Sequence, residues 1–486
     1  MLCLPLMFLG ALCAPSQDIT AAALAEKLTP LLGQVLDQHE LPGLAVAITQ
    51  GGETLYMQGF GTADRATGLP VNSKSIFHMA SVSKPFVASA VLLLQEAGKL
   101  ELDDKLVKHL PYFKVAGEMY REITIRQVLQ HSSGMPDVKD YGWDKPQTDE
   151  GAAERYVRSL TGEALRFTPG TAEAYSNMAF DVLGDLIAKV SGTSFEDFVE
   201  SNLLDPLGML DSSFTPSRTP KLQRTRGHSN FYGPRIDNSP SAHYPYNRRH
   251  APSSTLNSNL EDMCKWMHFN LSRGADLERE LLSEESFDLL FRADQGSGIG
   301  LAWNVDSFRG MRIVGHSGAD VGFATNVFMV PELDLGIVLM GNCDATPIRE
   351  LTNICLETVL GKEVELPRPT IDLPFARTLE QQGFDAAVEA YEELREHPTI
   401  EYIYRFSSLD SLGWLLLRHK RFADAELVLT FNLEQYMDQP DGLLHLAQAL
   451  HGLGQDEDAQ ELLLQVLDLR PSDEEAKQLL KELADR

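Results

Sequence analysis

Ser81 and Lys84 stand three residues apart at the head of a mostly apolar run, Ser81 to Leu100, that carries Phe86, Val87, Val91, Leu92, Leu93 and Leu94. The run predicts a helix buried on most sides and ending near Gly98. Residues i and i+3 of a helix share a face. A lysine at a buried helix N-terminus loses its water and feels the positive end of the dipole, so its pKa falls. Such a lysine can take a serine proton, while the helix N-terminus offers N–H donors to an oxyanion. Two other short stretches carry similar chemistry. Tyr175-Ser176-Asn177 follows Pro169-Gly170 and precedes a predicted helix from Met178 to Val190. His316-Ser317-Gly318 lies early in a predicted strand, where Gly315 and Ala319 leave room for a substrate backbone along the edge. Each has an ordinary alternative: a chance pairing, a capped helix beside a packed tyrosine, a strand-surface histidine. Their order, with gaps of about 90 and then about 140 residues, is harder to obtain by accident.

The set resembles the serine β-lactamase and penicillin-binding-protein superfamily. It is most similar to class C β-lactamases, D-alanyl-D-alanine carboxypeptidases, D-aminopeptidases and related esterases. The resemblance runs from Leu41 to Leu360 and takes in FHMASVSKPF, LQHSSGMPD, FTPGTAEAYSN and GHSGADVGF. It implies that Ser81 is the acyl-forming nucleophile, that Lys84 assists as proton acceptor and that Tyr175 is the general base and acid. Asn177 would hold the substrate amide and Lys84. His316 and Ser317 would bind substrate across from the serine, with Gly318 giving access. The N–H groups of Ser81 and Ala319 would form the oxyanion hole. His131 and Ser133 look like scaffold.

The chain also departs from its relatives. Tyr-Ser-Asn stands where class A β-lactamases have Ser-Asp-Asn, and no glutamate motif for a deacylating water is present. His316-Ser317-Gly318 stands where class C enzymes carry Lys-Thr-Gly, whose permanent cation recognises a carboxylate. Histidine is only partly charged near neutrality. Its substrate preference is therefore expected to vary with pH, and robust antibiotic hydrolysis is not expected.

These residues need positioning elements. A helix is predicted over Ile19 to His39, with Pro30 a possible kink, and a hairpin over Gly43–Gln50 and Thr54–Phe60 turning at Gly51-Gly52. Strands return between 299 and 342, and Arg349 to Leu360 reads as helix. Short helices and Pro/Gly loops fill 101 to 300, with Phe214 to Ser258 a long loop region. The expected fold is α/β (α+β): an antiparallel sheet flanked by helices and closed by distant segments, with an inserted helical subdomain.

The C-terminal quarter reads differently. From Ala376 onward there are 23 acidic against 10 basic residues, while the whole chain of 486 carries −28. Ala387, Ala425 and Ala459 recur at tetratricopeptide-like spacing, each three residues after Phe384, Phe422 and Asp456. Two good helix pairs and a degenerate one are expected, leaning on the main unit. Pro367, Pro369 and Pro374 read as a stiff linker. The boundaries are therefore residues 1–17 as a signal peptide, 18–365 as the hydrolase unit and 376–486 as the all-α repeats.

Residues 1–14 read MLCLPLMFLGALCA, an apolar stretch without a basic start, which predicts export to the periplasm or outside the cell. So acidic a chain lacks the basic stripe of a nucleic-acid binder, and no later run reaches the about 18 apolar residues of an integral span. Five cysteines without zinc spacing imply no metal site and no disulfide framework. The reading is a serine hydrolase without cofactor, acting on peptides or amides, with a protein partner possible on the repeats. An esterase on small acyl esters is the alternative, and a non-catalytic penicillin-binding sensor is the rival of another class.

Overall fold

The computed structural model describes residues 20–229, 239–294 and 296–484. The stretch expected to be an export signal, residues 1–17, lies outside the described residues. Helix α1 (Ala21–Gln38) is capped by the Thr20 hydroxyl, which accepts from Ala23 N, and runs on through Pro30. Strands β1 (Gly43–Gln50) and β2 (Glu53–Asp64) form the hairpin. Gly51 and Gly52 turn it with φ of +58° and +79°, the left-handed pair that a two-residue turn requires. The short β3 (Leu69–Pro70) extends one edge.

Helix α2 (Ser83–Glu96) opens the inserted block, preceded by a 3₁₀ turn over Ala80–Val82 that contains Ser81. Helices α3 (Asn177–Ser191) and α4 (Leu260–Leu271) follow. The chain then returns to the sheet as β4 (Asn304–Phe308), β5 (Met311–Asp320), β6 (Phe323–Val330) and β7 (Leu335–Gly341), before α5 (Ile348–Val359). The seven strands are antiparallel in the order β3-β2-β1-β7-β6-β5-β4. The pairing of β1 with β7 closes the sheet from segments almost 300 residues apart, as expected.

The two central strands are buried on both faces, which is why they read as continuous apolar runs. Ala45 and Ala47 of β1, with Val338 and Met340 of β7, face the inserted helices. Leu44, Val46 and Ile48, with Ile337 and Leu339, face α1 and α5 through Leu24, Leu28, Leu32, Leu351 and Ile354. Phe86 of α2 stacks on Trp266 of α4 with centroids 3.8 Å apart, so the helix that follows Ser81 is braced from behind.

The C-terminal part is all helical: α6 (Asp372–Gln382), α7 (Phe384–Glu396), α8 (Phe406–Arg418), α9 (Phe422–Gln435), α10 (Pro440–Gly452), α11 (Asp456–Leu469) and α12 (Glu474–Ala484). Ala387, Ala425 and Ala459 are each fully buried at the fourth position of α7, α9 and α11. There is no room for a larger residue at the partner positions either: a Cβ on Gly413 would lie 2.3 Å from the Leu429 side chain. Three helix pairs and a last helix result, one more complete pair than the sequence predicted. Pro374 lies in the first turn of α6, where its missing N–H costs nothing, and not in the linker. The apolar cores of these helices contain only their own residues. Their contacts with the main unit include the Arg377–Glu40 ion pair, so the expected leaning does not take the form of a shared core.

Candidate active site

Ser81 sits on a strained turn. Ala80 just before it has φ of +48°, a conformation held by its surroundings. Ser83 donates to the Ala80 carbonyl at 2.7 Å and accepts from Leu256 N at 2.9 Å. Met79 N donates to the Leu256 carbonyl at 2.7 Å. The turn is thus fixed from both sides before α2 begins.

Lys84 is fully buried one turn later. Its ammonium nitrogen lies 3.0 Å from Ser81 Oγ, 2.6 Å from Asn177 Oδ1 and 2.7 Å from the Ser253 carbonyl. Those three acceptors use all three of its N–H groups. Burial lowers its pKa to about 7, against the opposing pull of Asp181, Asp137 and Asp320. Near neutrality Lys84 is therefore divided between a proton donor and a proton acceptor, beside a serine hydroxyl.

The Tyr175-Ser176-Asn177 stretch is clamped to the loop after residue 129. Ser176 caps α3 by accepting from Ala179 N at 3.0 Å and donates to the Pro136 carbonyl at 2.7 Å. Asp137 Oδ1 accepts from Asn177 N at 2.8 Å and from Asn177 Nδ2 at 3.1 Å, which leaves Asn177 Oδ1 turned to Lys84. His131 stacks on Tyr175 at 4.3 Å and accepts from Ser176 N at 3.2 Å through Nδ1. Ser133 accepts from Met135 N at 3.3 Å. Tyr175 leaves 40% of its surface exposed. Desolvation holds its phenol above its ordinary pKa, and the nearby Ser81 side chain opposes the rise.

Strand β5 supplies the facing wall. A Cβ on Gly318 would lie 2.3 Å from the Met79 carbonyl oxygen and 3.0 Å from Ser81 N, so only glycine lets the strand approach Ser81 this closely. Thr325, paired with Gly318 on β6, donates to the Met79 carbonyl at 2.8 Å. Ser317 and Ala319 alternate onto the exposed side, where only their backbone can serve the Ser81 face. Strand β4 pairs with β5 only as far as Gly315. From His316 to Asp320, no strand among the described residues covers that edge.

The expectation for His316 needs correction. The ring is 5% exposed, and its Nδ1 lies 2.6 Å from the Ser317 carbonyl oxygen. Burial first, then the charge of Lys84, lowers its pKa to about 3, although the bond to Ser317 pulls the other way. His316 is thus neutral throughout the physiological range, not partly charged.

Several supporting residues had no signal in the sequence. Asp320 accepts from Ser254 Oγ at 2.6 Å, His78 Nε2 at 3.2 Å and Trp143 Nε1 at 3.1 Å. Asp181, one turn after Asn177, pairs at 2.6 Å with His250, and both are fully buried. The segment read as a long loop thus supplies His250, Ser253 and Ser254 to the site. Among the described residues, no group of three or more His, Cys, Asp or Glu side chains is placed to hold a metal ion. No described helix is long and apolar enough to cross a membrane.

Comparison with known proteins agrees with this geometry. Residues 28–354 match the Beta-lactamase family and residues 416–483 a tetratricopeptide repeat family. The chain is 25% identical over 328 residues to Protein flp of Staphylococcus aureus (strain MRSA252), a match that covers 67% of this chain and 64% of that relative's length. It is 27% identical over 368 residues to penicillin-binding protein 4 of Amycolatopsis lactamdurans, which covers 71% of this chain and 95% of that one. The octameric penicillin-binding protein homologue from Pyrococcus abyssi has a similar structure, with a TM-score of 0.61, 25% identity and coverage of 74% of this chain and 82% of that one. With a sheet, an inserted helical block and a Ser81 turn of this form, and with the family matching two-thirds of its length, the chain belongs to the Beta-lactamase family and carries tetratricopeptide repeats at its C-terminal end.

Proposed function

We propose that the protein is a serine hydrolase that forms an acyl-enzyme on Ser81 and acts on peptides or amides. The observation that carries this reading is the buried Lys84 ammonium nitrogen, 3.0 Å from Ser81 Oγ with a pKa near about 7. Neutral Lys84 takes the Ser81 proton as Oγ attacks the scissile carbonyl carbon. The N–H groups of Ser81 and Ala319 face the developing oxyanion. The C–N bond then breaks. Tyr175, kept protonated by its raised pKa, gives its proton to the leaving nitrogen and is reprotonated from Lys84. A water then attacks the acyl carbon and gives a proton to the same pair, which returns one to Ser81 Oγ as the acyl–Oγ bond breaks and the acid leaves.

The open edge from His316 to Asp320 favours an extended peptide, which can pair its backbone there. An esterase on small acyl esters is the second reading, favoured by the neutral His316, since such esters need no cationic anchor. The division proposed for the chain places the chemistry within 18–365 and a protein-binding surface within 376–486. The separate apolar cores of the repeats support that division. A fluorophosphonate probe followed by peptide mass mapping tests the reading. Labelling should fall on Ser81 and disappear in Ser81→Ala. Full labelling of Ser81→Ala would rule out this nucleophile.

A further inference from the structure

Resting on the reading of Ser81 as the acylated residue, we propose that His316 is a neutral hydrogen-bond acceptor that makes the site prefer an N–H-bearing substrate group and refuse a free carboxylate at that subsite.

The tautomer follows from the backbone. The Ser317 carbonyl oxygen, 2.6 Å from His316 Nδ1, can only accept a hydrogen bond. The proton of the neutral ring therefore sits on Nδ1, and Nε2 carries a lone pair. A second proton on Nε2 would create a buried cation beside another cation. The groups facing the ring include Lys84 from α2, Tyr175 ahead of α3, with centroids 6.4 Å apart, and His131 from the loop after residue 129. His131 is itself held neutral, its pKa well below the ordinary value because of burial and then of Lys84 and His316. Asp306 of β4 and Arg349 of α5 line a cavity that His316 also borders, but the charge that acts on the ring is that of Lys84.

The rest of the site points the same way. The one buried cation, Lys84, has its N–H groups committed to Ser81, Asn177 and Ser253. Three carboxylates, Asp137, Asp181 and Asp320, act on that ammonium, although none of them is among the charges acting on the His316 ring. A substrate carboxylate would meet an acceptor lone pair and an occupied ammonium. An amide or amine N–H at the same place meets an acceptor. His316 thus does the opposite of the permanent cation that recognises carboxylates at the matching strand position.

The test compares Nα-acetyl-D-alanyl-D-alanine with its C-terminal carboxamide on the full-length protein, between pH 5.5 and 8. The carboxamide should be favoured in kcat/KM by roughly tenfold or more, because buried polar groups left unpaired dominate such discrimination. Lys84, with its pKa of about 7, titrates within this range, so any pH dependence of the ratio should be the same in His316→Gln as in the unaltered protein. Where turnover is slow, the peptides are compared as competitors of fluorophosphonate labelling. Ring-¹⁵N-labelled histidine gives a second readout that does not depend on turnover: Nδ1 of His316 should show a protonated shift and Nε2 an unprotonated one throughout. His316→Lys should move the ratio toward the carboxylate. A preference for the carboxylate, equal use of both peptides, a pH dependence of the ratio that His316→Gln removes, or a doubly protonated ring above pH 5.5 overturns the proposal. So does a labelled enzyme that neither peptide slows. A protein that fails to label on Ser81 defeats the hydrolase reading itself, so the two failures are distinguishable.

Discussion

Trp143 donates its indole N–H to Asp320 at 3.1 Å and so fastens the loop ahead of residue 150 to strand β5, two residues beyond Gly318. The other carboxylate oxygen of Asp320 holds Ser254 and His78. Ser254 adjoins the Ser253 carbonyl that receives Lys84, and His78 lies three residues before Ser81. One carboxylate thus ties together four stretches of chain around Ser81. It also contributes charge, since it is among the groups that raise the pKa of Lys84. In Asp320→Asn that charge is gone, so Lys84 should lose its proton more easily. The acidic limb of the kcat/KM profile should move to lower pH. A limb that stays in place would show that Asp320 acts through packing alone.

In the proposed mechanism Lys84 acts as a base only in its neutral form. Its pKa of about 7 predicts that acylation rises as pH climbs through about 7 and levels off above it. Tyr175, raised above its ordinary value, should cause no fall below pH 9. The rate of fluorophosphonate labelling between pH 5 and 9 checks the curve. Lys84→Ala and Tyr175→Phe should each lose roughly 10²–10⁴-fold, the range of a positioned acid or base.

Gly318→Ala inserts a methyl group 2.3 Å from the Met79 carbonyl oxygen and 2.6 Å from Thr325 Oγ1. Neither neighbour can yield easily, because Thr325 is itself bonded to Met79 O. Strand β5 should move away from Ser81. An ångström of misplacement costs about 10²-fold, so labelling should slow by at least that much while circular dichroism stays unchanged. Retained labelling would mean that the strand has slack.

Ala425→Leu overfills a fully buried position where α9 meets its neighbours. Overpacking of this kind costs about 1–3 kcal/mol. Because the repeat cores contain no residue of the main unit, the melting of the helical tail should fall while labelling of Ser81 continues. Truncation after Pro369 should likewise leave small-ester turnover measurable. Its loss in a truncated protein with normal circular dichroism and melting would show that the tail shapes the cleft.

Some of this architecture was legible in the residues. Ser81 and Lys84 are neighbours in the chain, and the apolar runs of β1, β7 and α2 announce two-sided burial. The alanines at 387, 425 and 459 carry the repeat because close helix contact demands small side chains. What could not be read depends on pairs far apart in the sequence. Asp320 and Trp143 are 177 positions apart, and Lys84 and Ser253 are 169 apart, the latter through a backbone carbonyl that any residue type provides. The state of His316 was misread for a different reason. Its type suggests a titrating group near neutrality, but its own neighbour's carbonyl and the loss of water decide the proton.

The stop of β4 opposite Gly315 sets a length as well as an opening. Beyond it the bare edge of β5 spans five residues, His316 to Asp320, or about 17 Å at about 3.3 Å per residue. An extended chain laid along that edge shares its lane with β4 and runs up against Asn304. If the proposed peptide pairs along this edge, the cleft would limit how many of its residues can pair. In a series of peptide inhibitors of increasing length, affinity should climb while backbone pairs are added and stop climbing once the five positions are filled.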